Sequence, residues 1–171
     1  MKVLLDTSFI RNLQKTEQLG LLSVVAKDLN LEFYIPTRVK NELQQKSIPE
    51  EIQILVNSNN MKIECCDEVS YQKLSLRFFN LGEGELEAIC IVDKCEDRTF
   101  KNYIIMTDDE PAQKIASSLG MSTWGTIAFL FTANQKCFIK KEEIIASLRS
   151  LEKDSFFIDP LVMKDIMSRI K

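Results

Sequence analysis

Lys2-Val3-Leu4-Leu5-Asp6-Thr7-Ser8 decides how the chain is read. A short apolar run too brief for a helix ends in a carboxylate and two hydroxyls. Such a run reads as a buried strand, and Asp, Thr and Ser are residues that cap a following helix. The same shape returns late in the chain, where Ile104-Ile105-Met106-Thr107 ends in Asp108 and Asp109. Further short strands are expected at 32–35, closed by Pro36, at 61–65 and at 122–124, with helical periodicity between them. Strands alternating with helices imply an α/β fold, a parallel sheet covered on both faces. In open parallel sheets ligands bind beyond the carboxyl ends of strands, where the strand order reverses. Two such strands side by side would bring Asp6 and Asp109 together there.

The remaining elements follow from spacing and caps. Apolar residues at Leu19, Leu22, Val25, Ala26 and Leu29 recur at helical intervals. Thr37 is the expected cap of a helix holding Val39 and Leu43, and Pro49 restarts a helix through Ile52 to Val56. Residues 57–60 read as a turn. Helices are expected at 68–79, 83–95, 110–119, ended by Gly120, and 125–133. The tail, 138–171, reads as a helical hairpin packed on the domain formed by 1–137, with Asp159 capping and Pro160 in the first turn of its second helix, the alternative being an arm for a dimer or a partner.

Composition narrows the chemistry. The 171 residues contain 22 Lys plus Arg and 25 Asp plus Glu, a net charge of −3, and no histidine. That excludes Ser-His-Asp hydrolysis, Cys-His proteolysis, paired-histidine RNA cleavage and His-ligated zinc. The cysteines, Cys65, Cys66, Cys90, Cys95 and Cys137, are odd in number and lack CxxC spacing. They read as inert thiols in a reducing compartment. The first ten residues are too short an apolar run for a secretory signal, and no run reaches the roughly 20 residues of a membrane span. A cytoplasmic location is the expectation.

Acids are therefore the chemical resource. Glu42, in Val39-Lys40-Asn41-Glu42-Leu43, can turn toward the sheet edge from the helix after the second strand. Glu83, Glu85 and Glu87 open the helix of Gly82-Glu83-Gly84-Glu85-Leu86-Glu87-Ala88-Ile89. Glu87 precedes a buried-looking stretch, where a carboxylate is costly unless paired. A divalent cation is the simplest partner that the sequence offers. Each acid also fits a plain role, as a helix cap, a dipole partner or a solvated helix residue. Gathered at one strand end, four carboxylates would repel, and oxygen ligands suit Mg²⁺ or Mn²⁺. Such ions activate water and clamp a phosphodiester without histidine.

LLDTSFI, VKNEL, GEGELEAI and IIMTDD, in this order over about residues 2–133, resemble the PIN-domain nuclease family. With Gly125-Thr126 and the helical tail they look like a prokaryotic subgroup similar to VapC-type toxins. The resemblance implies a three-layer α/β/α fold with about five parallel strands and a C-terminal helical extension. It implies metal-dependent RNA cleavage, with Asp6, Glu42, Glu87 and Asp109 as catalytic metal ligands. Glu85 competes with Glu87, and Asp108 with Asp109. The third acid is Glu where the family more usually has Asp. Thr7 or Ser8 matches the hydroxyl that follows the family's first Asp. Arg38 and Lys40 are the expected phosphate contacts. The resemblance further implies Mg²⁺ or Mn²⁺ as cofactor, a homodimer, RNA as substrate and an antitoxin protein as partner. The alternatives are a non-catalytic PIN-like module that binds RNA or protein, and an aspartate-centred phosphatase. The latter lacks the second Asp of an Asp-x-Asp strand end.

Overall fold

The computed structural model describes residues 1–45, 50–57, 61–94, 102–154 and 156–171. Five strands, β1 (Lys2–Leu5), β2 (Glu32–Pro36), β3 (Met61–Glu64), β4 (Tyr103–Met106) and β5 (Ser122–Trp124), form one parallel sheet in the order β3-β2-β1-β4-β5. The chain builds outward from β1 through β2 to β3, then returns to the other side of β1 for β4. The seam between β1 and β4 is therefore the switch point. Leu4 pairs with Tyr34 on one side and Ile105 on the other, and Leu5 pairs with Met106.

Alternation along the central strands separates two cores. Val3, Leu5, Phe33, Ile35, Ile104 and Met106 face one layer, and Leu4, Tyr34 and Ile105 face the other. The first layer holds α1 (Thr7–Lys15), α2 (Leu21–Leu29), α3 (Thr37–Gln45), α4 (Glu50–Asn57), α8 (Thr126–Gln135), α9 (Lys141–Lys153) and α10 (Pro160–Arg169). The second holds α5 (Glu68–Arg77), α6 (Glu83–Asp93) and α7 (Glu110–Ser118). This is the α/β/α arrangement with five parallel strands. The rings of Phe9 and Phe129 meet edge to face, 5.4 Å apart, and lock α1 to α8.

Local signals placed most boundaries. Asp6, Asp67, Asp109 and Asp159 cap α1, α5, α7 and α10 through backbone N–H groups in the first turn. Gly120, at φ 81°, takes the left-handed turn that ends the α7 segment. Thr37 does not cap α3: its hydroxyl donates to the Glu64 carbonyl at 3.4 Å. The tail shares the first core through Ile144, Leu148, Leu151, Ile158, Ile166 and Ile170. Its end is tied to α8, where Asn134 exchanges bonds with Lys171, receiving its N–H at 2.9 Å and donating to its carbonyl at 3.2 Å. Lys46, Pro49, the turn at 58–60, Cys95 and Ser155 lie outside the described residues.

Candidate active site

The centre lies beyond the carboxyl ends of β1 and β4. Asp6 is only 1% exposed. Its Oδ2 accepts from the Ser8 N–H at 3.1 Å, the Ser8 hydroxyl at 2.5 Å and the Thr107 hydroxyl at 3.0 Å. Its Oδ1 is buried with no hydrogen-bond partner. Burial pushes the Asp6 carboxyl above its usual range, and the bonds from Ser8 and Thr107 only partly oppose this. Helix capping accounts for Oδ2 and leaves Oδ1 unexplained.

Asp108 and Asp109 divide their tasks. Asp108 accepts from the Asn12 amide at 2.9 Å, the Thr126 N–H at 2.7 Å and the Thr126 hydroxyl. It is committed to joining β4 to α1 and α8. Asp109 uses Oδ1 to cap α7 at Ala112, 2.7 Å away. Thr107 bridges the two strand ends, since its hydroxyl donates to Asp6 and accepts the Asp109 N–H at 3.1 Å.

Glu42 reaches the centre from α3. Its Oε2 accepts the Thr7 hydroxyl at 2.6 Å, and its Oε1 accepts the Gly84 N–H at 3.1 Å. Glu85, half-buried in the first turn of α6, joins the same cluster. Its carboxyl is pushed up to about 7, first by burial and then by the charges of Asp6, Asp109 and Glu42. Glu87 goes elsewhere. Its Oε2 accepts the Arg38 N–H at 2.6 Å, at the start of α3. Residues two apart on a helix point about 200° apart, so both cannot face one site. The buried Glu87 is thus paired with a helix N-terminus, not left in want of a cation. Burial still raises its pKa, opposed by the Arg38 N–H.

The structure brings together Asp6, Glu42, Glu85 and Asp109, supported by Thr7, Ser8 and Thr107. It directs Asp108 and Glu87 into structural bonds. Arg38 is engaged as well: its guanidinium lies 3.7 Å over the Tyr71 ring and pairs with Glu68 at 3.0 Å and Glu83 at 3.2 Å. Lys40, half-buried on α3, makes no ion pair with a described residue. Thr107 and Thr126 lie in sequence motifs that give their hydroxyls no role, and Asn12 lies outside every motif. For Asn12 there was a signal, a polar residue on the buried face with Phe9 and Leu13.

Among the described residues, no three acidic or cysteine side chains already form a cation cage. The donor set nonetheless fits a hard divalent cation. It is all oxygen, it includes a buried unpartnered Asp6 Oδ1, and burial together with the charges of Asp6, Asp109 and Glu42 raises the pKa of Glu85.

Fold and acids together define an α/β protein with an acidic site at the sheet's switch point. The family model for the PIN domain matches residues 2–171, and the chain belongs to that family. The fold is thus of the nuclease type, and PIN domains typically use divalent metals. No curated protein matches the chain. Among the described residues, no helix is long and apolar enough to cross a membrane.

Proposed function

We propose that the chain is a divalent-metal-dependent endoribonuclease using Mg²⁺ or Mn²⁺. The observation that carries the reading is the buried, unpartnered Oδ1 of Asp6 beside a glutamate whose pKa rises to about 7 on account of burial, Asp6, Asp109 and Glu42. Asp6, Glu42, Glu85 and Asp109 would hold the cation. When bound, a divalent cation activates water and neutralises charge on the attacked phosphate. The chain's own residues supply orientation. Ser8 and Thr107 fix Asp6 so that Oδ2 is occupied and Oδ1 is left open. Thr7 and the Gly84 N–H hold the Glu42 carboxylate. Absent histidine is consistent with this chemistry, because no proton-shuttling imidazole is required.

The toxin form of this reading adds a cytoplasmic homodimer and a small inhibitory protein partner. The test of the enzymatic claim is cleavage of matched single-stranded RNA and DNA with Mn²⁺, with Mg²⁺ and with chelator. Expected is RNA cleavage that depends on metal and stops with chelator. Cleavage unaffected by chelator, or none with either metal, contradicts it.

A further inference from the structure

Helices α3 and α6 exchange carboxylates. Glu42 of α3 accepts the Gly84 N–H in the first turn of α6 at 3.1 Å, and Glu87 of α6 accepts the Arg38 N–H in the first turn of α3 at 2.6 Å. Each helix thus caps the other with an acid. Each acid sits in the positive field of the other helix's N-terminus. The helices touch closely between these bonds. A Cβ added to Gly84 would stand 2.7 Å from the Val39 side chain and 3.1 Å from Glu42 Oε1. The outer end of the contact is sealed by Arg38, stacked on Tyr71 and paired with Glu68 and Glu83. The Cys66 N–H, after β3, also approaches Glu87.

We propose that Glu87 is a positioning residue. By this reciprocal capping it holds α3 against α6 and so sets where Glu42 and Glu85 stand. The inference rests on the reading of Asp6, Glu42, Glu85 and Asp109 as a cation site. Two of those acids come from α3 and α6, so their separation is the separation of those helices. Glu87 contributes no oxygen to the site, because its carboxylate is consumed at the start of α3. Of the acids whose charges act on Glu85, Glu42 stands across the clamp on α3, and Asp6 and Asp109 stand at the ends of β1 and β4.

Mn²⁺ binding, measured by calorimetry on the full chain, separates positioning from ligation. The variants are Glu85→Gln, Glu87→Gln, Glu87→Met and Gly84→Ala, with circular dichroism as a check on folding. A glutamine carbonyl still accepts the Arg38 N–H, so Glu87→Gln is expected to bind within about threefold of wild type. Glu87→Met removes the acceptor and is expected to weaken binding about tenfold or more, the size typical of groups that orient ligands. Glu85→Gln is expected to weaken it at least as much. Glu87→Gln as weak as Glu85→Gln overturns the proposal and makes Glu87 a ligand. Wild-type affinity in Glu87→Met also overturns it. If Glu87→Met does not fold, Gly84→Ala strains the same interface, and undiminished Mn²⁺ binding there overturns the proposal. A wild-type chain that binds no Mn²⁺ removes the cation site itself. Loss in Glu85→Gln together with an equal loss in Glu87→Gln removes only the positioning role.

Discussion

At the scale of single residues, the centre is a set of carboxylates held where they repel. Glu85 titrates near 4.5 when free and at about 7 when folded, through burial first and then Asp6, Asp109 and Glu42. A raised carboxyl pKa stabilises the fold below the unfolded value, and that contribution is lost as pH climbs through the folded value. Asp6 is shifted in the same direction. The metal-free protein is therefore expected to lose stability between about pH 4.5 and 7, and Mn²⁺ is expected to restore it at pH 8. Glu85→Gln should flatten the pH dependence and raise the metal-free melting temperature at pH 8. Water reaches this half-exposed group, so the gain is on the order of 1 kcal/mol, or about 2–4 °C. Thermal melts across pH check this, and a Glu85→Gln curve parallel to wild type contradicts it. Asp6 and the pair Asp108 and Asp109 were legible in the sequence because each closes an apolar strand, though adjacency left Asp108 and Asp109 as competitors. Glu85 and Glu87 were not separable there. Both lie near one helix start, and only the packing of α3 shows which N-terminus Glu87 meets.

At the scale of elements, two joints hold the acids in place. At the first, Gly84→Ala would put a methyl group 2.7 Å from Val39 at the α3–α6 crossing. The expected loss of stability is about 1–3 kcal/mol, read from denaturant unfolding, as for other overpacked contacts. A variant as stable as wild type would mean that the helices part without cost. At the second, Asp108 gathers Asn12 and Thr126 onto the end of β4. Asp108→Ala should cost about 1–3 kcal/mol by stranding those donors, while Mn²⁺ affinity changes far less than in Asp6→Asn. An equal loss of Mn²⁺ affinity in the two variants would return Asp108 to the ligand set. Strands and most helices were legible, because short apolar runs, Asp caps and Pro160 are local signals. The capping of α3 was not. It comes from Glu87, far away in sequence, while the adjacent Thr37 turns its hydroxyl to Glu64.

At the scale of the molecule, the switch in strand order gives the acids a common place. β1 and β4 are neighbours only because the chain returns across β1, and that adjacency sets Asp6 beside Thr107 and Asp109. The tail completes the core under this edge. Ending the chain after Cys137 would remove Ile144, Leu148, Leu151, Ile158, Ile166 and Ile170 from the first core. At about 1.5–3 kcal/mol for each buried side chain, the shortened chain is expected not to fold cooperatively. A sharp thermal transition in that fragment would show that residues 1–137 stand alone. An acidic chain of net charge −3 can still act on a polyanion, provided that its central acids are neutralised by a cation. Mn²⁺-dependent cleavage of single-stranded RNA by wild type and by Asp6→Asn, at matched folding, bears most directly on this account. Asp6→Asn removes the charge of a buried carboxylate with an unpartnered oxygen at the strand-end centre, and a fall in rate of about 100-fold or more is expected. Equal cleavage by the two proteins would contradict it.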